Sequence, residues 1–141
     1  MLDSLSGAIN NDLTTFSNLV GVEFPKHLKY ESCEFLIIGT GYFDFKGKSG
    51  LIGILKKYVP ANHYLITITK QTKYHQTLDR LSALRNFAAH DSGKSKNAAL
   101  KSVGQQRIRS AGSWLKTQNR MQNIIDKLKE LATEIELAAP F

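Results

Sequence analysis

The sequence predicts an all-α fold, a bundle of about four to five helices. In three stretches of its 141 residues, apolar side chains recur every three or four positions, which is the spacing of an amphipathic helix. The hydrophobic content of 42% and the charged content of 22% are those of a globular protein. The only cysteine, Cys33, excludes an internal disulfide and is expected to be a small buried hydrophobe. We therefore expect one domain, residues 1–141, with its own core.

The N-terminal stretch predicts a first helix that ends at Gly21, a typical helix stop. Its stripe comprises Leu2, Leu5, Ile9, Leu13, Phe16 and Val20. After a turn at Phe24 and Pro25, residues 28–42 fit a second helix. Residues 35–38 fit a strand equally well, and we favour the helix because the neighbouring elements are helical.

A glycine- and lysine-rich loop is predicted for residues 44–50. Its GKSG segment is not a P-loop, because Tyr42 stands where that motif requires its first glycine. Ser49 is expected to cap a short helix that ends at Pro60. In residues 63–68, apolar residues alternate with threonines as in a strand. Because the sequence offers no partner strand, we interpret the segment as an extended connector.

Two long helices are predicted in the second half of the chain, over residues 71–90 and residues 113–137. Between them, residues 98–100 fit one helical turn that ends at Gly104. We expect the two long helices to pack antiparallel. The residues buried between them would be Leu78, Leu81, Leu84, Ile125 and Leu128.

The net charge of +7 is concentrated in one segment. Residues 92–125 contain seven basic residues and no acidic residue, whereas the rest of the chain is nearly balanced. A solvated basic face is one interpretation, and a phosphate-binding surface is the other. The five residues that we assign to such a surface are Lys94, Lys96, Lys101, Arg107 and Arg109.

The one stretch that suggests chemistry is residues 84–92, LRNFAAHDS, at the end of the first long helix. Asn86 and His90 are four residues apart and would share a face, with Arg85 about 100° around the axis. The cluster that begins with Asp91 is expected to stop the helix and leave His90 near the surface. An imidazole there exchanges protons near neutral pH, and an arginine offers planar donors to a phosphate.

Arg85, Asn86 and His90, at the end of an amphipathic helix in a small helical domain, resemble the motif of the HEPN superfamily. The resemblance covers residues 71–136 and implies a helical bundle, usually dimeric, and in many members a metal-independent RNase of toxin–antitoxin, CRISPR or phage-defence systems. It implies that His90 is the proton acceptor or donor, that Arg85 binds the phosphate and that Asn86 orients the imidazole. The substrate would be RNA, attacked by its own 2′-hydroxyl.

Two alternatives remain open from the sequence. Trp114 could stack a base or anchor the fold. Separately, Arg85 could pair with Asp79 or Asp91, and His90 could interact only with the dipole at the end of its helix. With no catalysis, the protein would be a helical interaction module, such as an antitoxin partner or an accessory subunit. No histidine or cysteine pair has the spacing of a zinc site, so no metal or cofactor is expected. With no apolar run of transmembrane length, we expect a cytoplasmic protein without membrane contacts.

Overall fold

The computed structural model describes residues 1–21, 28–90 and 92–140, and every regular element within these ranges is a helix. The elements are α1 (Leu2–Asn11), α2 (Leu13–Val20), α3 (Tyr30–Ile38), α4 (Gly47–Tyr58), α5 (Tyr64–Thr69), α6 (Thr72–Ala89), α7 (Gly93–Val103), α8 (Ala111–Leu115) and α9 (Arg120–Ala138). The all-α prediction is confirmed for these ranges. The predicted turn at Phe24 and Pro25 lies outside the described residues, and so does Asp91.

The first predicted helix is divided in two by Asp12. The carboxylate of Asp12 accepts a hydrogen bond from the Thr15 amide at 3.0 Å and thereby caps α2. Gly21 ends α2 in the left-handed conformation, with φ of 68°, as predicted.

The last predicted helix, residues 113–137, is also divided. Gln118 and Asn119 have φ values of 56° and 54°, and these left-handed residues separate α8 from α9. The Arg120 guanidinium donates to the carbonyl of Trp114 at 3.2 Å and so bridges the break. These divisions are one reason why the described residues form more helices than the four to five predicted.

The helix α4 begins at Gly47, two residues before the predicted cap, so part of the predicted loop is helical. No side chain from its own N-terminus caps it. Instead, Asp79 of α6 accepts a hydrogen bond from the Lys48 amide at 2.7 Å. A carboxylate of the protein itself therefore occupies the N-terminus of α4.

The prediction of an extended connector over residues 63–68 is wrong, because the segment forms α5. Leu65, Ile66 and Ile68 are all buried there, so the apolar residues do not mark one face of a strand. The Thr67 hydroxyl donates to the carbonyl of His63 at 3.2 Å, a bond within a helical turn. The second predicted helix is confirmed as α3, and Cys33 within it is buried as expected.

The described residues bury two hydrophobic cores. The larger core lies among α1 to α5 and includes the N-terminal half of α6 and the C-terminal half of α9. The smaller core comprises Leu84, Phe87, Ala99, Ile108, Ala111, Trp114 and Ile124. The helices α6 and α9 contribute to both cores and so join the two halves of the fold.

The helices α6 and α9 run antiparallel, as predicted. Near the start of α6, Lys73 pairs with Glu130 at 2.8 Å, in the second half of α9. Near the end of α6, Leu84 shares the smaller core with Ile124, from the first half of α9. The predicted burial is confirmed for Leu78 and Leu84.

The other predicted contacts of this interface are less buried than expected. Leu81, Ile125 and Leu128 are half-buried. Ile124, which the apolar spacing of the sequence did not single out, is the buried residue of that turn of α9. The fully buried residues of α9 are Ile124, Leu131 and Ile135, and Leu128 packs against both cores from a half-buried position.

Candidate functional site

The end of α6 presents the predicted motif at the surface. Arg85 and His90 are exposed and Asn86 is half-buried. The helix ends at Ala89, and His90 is its C-cap in an extended conformation, with φ of −132° and ψ of 105°. The prediction that His90 lies within the last helical turn is therefore wrong by one residue.

The backbone of His90 is firmly held. Its amide donates to the carbonyl of Asn86 at 2.9 Å, and its carbonyl accepts from the Ser92 amide at 2.8 Å and from the Ser95 hydroxyl. Ser92 and Ser95 also form the capping box of α7. The junction between α6 and α7 thus fixes the position from which the exposed imidazole extends.

Arg85 pairs with a residue that its sequence neighbourhood does not suggest. Its Nη1 lies 2.7 Å from Oδ1 of Asp44, which precedes α4, and about half of each side chain is exposed. The hydrogen bond from Arg85 is the main reason why the pKa of Asp44 is below its ordinary value. Asp79, one predicted partner, instead caps α4.

Asn86 does not orient the imidazole as the resemblance implied. Its Oδ1 accepts a hydrogen bond from Nη2 of Arg85 at 3.4 Å. No hydrogen bond joins its side chain to the His90 ring in the described part of the chain. The physical reason is that His90, although still one turn after Asn86, has an extended φ of −132°, which turns its side chain away from the direction that a helical residue would have.

Directly after His90, the basic segment forms α7, which is much longer than the single turn predicted. Lys94, Lys96 and Lys101 are all exposed on it. Lys94 and Lys101 are seven residues apart and so share one face, whereas Lys96 is about 160° away from Lys94 on the shorter way around the axis. The three lysines therefore do not form a single row.

The two arginines of the predicted surface lie in the connection between α7 and α8, and both are exposed. Ile108 between them is buried in the smaller core and anchors this connection. Arg109 lines a shallow depression together with Phe87 and Ala88 of α6. The structure thus brings Arg109 to the end of α6 that carries the motif, while Arg107 has no comparable contact among the described residues.

Trp114 is surrounded by residues that no sequence motif connects. The indole is 7% exposed, so it is a structural anchor and no base can stack on its free face. The guanidinium carbons of Arg80 and Arg120 lie 5.3 Å and 4.5 Å from its ring centroid. The absence of acidic residues from residues 92–125 was the one sequence signal that pointed to this region.

Among the described residues, no cluster of three or more histidine, cysteine, aspartate or glutamate side chains could hold a metal ion. None of the helices in the described ranges combines the length and the apolar character needed to cross a membrane. No family model, curated protein or solved structure matches the chain.

Proposed function

We propose that this protein is a metal-independent endoribonuclease of the HEPN type, a toxin or a phage-defence effector, with Arg85 and His90 as its catalytic residues. One observation carries the proposal. His90 extends into solvent from a backbone held by hydrogen bonds at the junction of α6 and α7, five residues after Arg85 and shortly before a helix with exposed lysines. A general acid or base must be accessible and held close to its substrate, and this arrangement supports both conditions, because the imidazole is exposed and the backbone that carries it is fixed.

In the proposed reaction, His90 removes the proton of a ribose 2′-hydroxyl. The 2′-oxygen then forms a bond to the adjacent phosphorus, and the bond from phosphorus to the 5′-oxygen breaks. Arg85 donates to the phosphate oxygens as negative charge develops on them. The leaving 5′-oxygen takes a proton, and the products are a 2′,3′-cyclic phosphate and a 5′-hydroxyl.

One copy of the motif offers one imidazole, whereas the reaction uses a base for the 2′-hydroxyl and an acid for the 5′-oxygen. A two-fold homodimer that places two copies of His90 in one cleft supplies both groups. Arg85 must also exchange the carboxylate of Asp44 for a phosphate, which an exposed ion pair permits.

The RNA strand would be held by the basic side chains near the motif. Lys94 and Lys96 flank Ser95, whose hydroxyl bonds the carbonyl of His90, and Arg109 lies beside the end of α6. Arg107 and Lys101 would extend this surface. Because these cations are exposed, they can reach backbone phosphates, and each phosphate that they neutralise releases counterions.

A second candidate function is a non-catalytic interaction module, an antitoxin partner or an accessory subunit. The ion pair between Arg85 and Asp44 favours it, because a surface arginine that ties α6 to the segment before α4 already has a structural role. The missing bond between Asn86 and His90 is also consistent with it.

The variants His90→Ala and Arg85→Ala test the proposal. Each should abolish cleavage of single-stranded RNA in the presence of EDTA, while the wild-type protein leaves 2′,3′-cyclic phosphate ends. Their melting temperatures should stay within about 2 °C of wild type, because both side chains are exposed. Lys57→Ala, a change at an exposed basic residue of α4, is the matched control and should cut normally.

Full cleavage by a folded His90→Ala protein would refute the catalytic proposal and leave the interaction module as the better account. Sedimentation tests the dimer separately, since the active species should have twice the 15.8 kDa mass of the chain.

A further inference from the structure

The cleft beside Trp114 has the composition of an anion-binding site. It lies among α6, the end of α7, α8 and the start of α9, and its volume is about 410 Å³. Its lining includes Arg80, Arg120 and Lys127. Neither arginine forms a salt bridge with a carboxylate in the described part of the chain.

The two arginines are held in place by different contacts. Arg120 donates to the carbonyl of Trp114, to the Thr117 hydroxyl at 2.8 Å and to the side-chain oxygen of Gln118. Arg80 donates only its Nε, to the carbonyl of Ser102 at 3.3 Å. Both terminal amino groups of Arg80 therefore remain without an acceptor among the described residues, and these are the donors that bind a phosphate in pairs.

The electrostatics of the cleft favour an incoming anion. Burial lowers the pKa of Arg80, and the positive charge of Arg120 lowers it further, because two like charges are held near each other. Because Arg80 keeps donors without an acceptor among the described residues at this cleft, a ligand that only accepts hydrogen bonds complements them.

The cleft is separate from the motif at the end of α6. Arg80 and Arg85 are five residues apart on α6, which places them about 140° apart around the axis. Arg85 contacts Asp44 before α4, whereas Arg80 contacts Ser102 of α7 and the ring of Trp114. The two arginines therefore lie on different sides of α6.

We propose that this cleft is a phosphate-binding site in which Arg80 and Arg120 contact the phosphate oxygens. The phosphate belongs either to a small phosphorylated molecule or to an RNA strand. A phosphate fits better than a carboxylate, because its three or four oxygens can accept from both terminal amino groups of Arg80 and from Arg120 at the same time. Lys127 is not one of these donors, because its ammonium group already pairs with Glu130 at 2.6 Å. This site does not depend on the proposed ribonuclease activity.

Trp114 is the only tryptophan of the chain, so its fluorescence reports directly on the cleft. We would titrate the full chain with inorganic pyrophosphate, adenosine monophosphate and a short single-stranded RNA, with sodium chloride at equal ionic strength as the reference. A saturable change with pyrophosphate or the mononucleotide assigns the site to small ligands. A change with RNA alone assigns it to a strand.

Arg80→Gln and Arg120→Gln should each weaken binding by about tenfold or more, since each removes charge-assisted hydrogen bonds to the phosphate. Lys129→Gln, an exposed charge removed from the same helix as Arg120, should bind as wild type does. Because Arg120 also supports the backbone around Trp114, Arg80→Lys is the second test: it keeps the charge, loses the planar donors and should bind more weakly than wild type.

His90→Ala should leave this binding unchanged, which distinguishes failure of the site from failure of the ribonuclease proposal. The proposal is overturned if sodium chloride alone reproduces the change, if no probe gives a saturable change, or if folded Arg80→Gln and Arg80→Lys proteins bind as tightly as wild type.

Discussion

Replacing Asp44 with asparagine should increase the affinity of the protein for RNA. In the free protein the carboxylate of Asp44 lies 2.7 Å from Nη1 of Arg85, the group that we propose binds a phosphate. RNA must therefore displace Asp44 before it can pair with Arg85. The Asp44→Asn substitution keeps the shape of the side chain but removes the charge that competes with the phosphate.

The size of the effect follows from the exposure of the pair. The side chains of Arg85 and Asp44 are 53% and 54% exposed, so solvent screens their attraction. Exposed pairs of this kind change an equilibrium by at most about fivefold. We expect the dissociation constant for single-stranded RNA to fall by about two- to fivefold, and the cleavage rate at low substrate to rise by a similar factor.

Fluorescence anisotropy of a labelled RNA, measured in the His90→Ala background, gives this affinity without cleavage. Asp126→Asn is the matched control, because it makes the same change in net charge at an exposed position of α9. The pKa of Asp44 is lowered from its ordinary value of 3.8, so the ion pair persists above that value and is lost only as pH falls below it. Assays between about pH 5 and 8 therefore keep Asp44 ionised.

If Asp44→Asn binds RNA no more tightly than Asp126→Asn does, Asp44 does not compete with RNA for Arg85. A second comparison is sharper: in an Arg85→Ala background the Asp44→Asn change should have no effect, because the competition has been removed. An equal gain with and without Arg85 would mean that the gain is a general charge effect.

Three further predictions concern the basic helix, two glycines and one ion pair. Replacing the three lysines of α7 with alanine should flatten the salt dependence of RNA affinity by about 0.7 in log–log slope for each phosphate that is no longer neutralised, and an unchanged slope would place the RNA elsewhere. Gly47→Ala should lower the free energy of unfolding by about 1 kcal/mol or more, because Gly47 has φ of 63° and the new Cβ would lie 2.5 Å from Oδ1 of Asp79. Gly53→Ala, where nothing lies within 4 Å, should instead raise it by about 0.5 to 1 kcal/mol in urea unfolding. Hydrogen bonds from Lys127 and, to a smaller extent, from Lys73 lower the pKa of Glu130 from 4.5 to about 2. As pH is lowered from 4.5 to 2, Glu130 loses its charge, so the melting temperature of the wild type should fall more steeply than that of Glu130→Gln.

Long, uninterrupted amphipathic stretches were predictable from the sequence. The predicted helix over residues 71–90 differs from α6 by one residue at each end, because apolar residues recur there every three or four positions and no glycine or proline interrupts them. The break at Asn119 was not predictable, because left-handed residues in a polar turn leave the apolar spacing on either side nearly unchanged. The identity of α5 was hidden for another reason: a segment buried on most sides has no periodicity to distinguish a helix from a strand.

The sequence could predict only those features of the candidate site that depend on residues close to each other in the chain. The exposed position of His90 follows from its place at the C-terminal end of α6. The partner of Arg85 does not, since Asp44 is brought to it by the packing of α4 against α6. The same limit applies to Arg80, Trp114 and Arg120, which come from three helices and share no local pattern.

The division of the described residues into two cores has a consequence for how the protein opens. Trp114, Ile108 and Leu84, which support the cleft, the basic connection and the motif helix, all belong to the smaller core. Regions with less buried apolar surface open more often than the whole protein unfolds. Amide hydrogens of α7 and α8 should therefore exchange with solvent sooner than those of α4. Under mild denaturant, the half of the fold that contains the smaller core would open first, while the helices around the larger core stay folded.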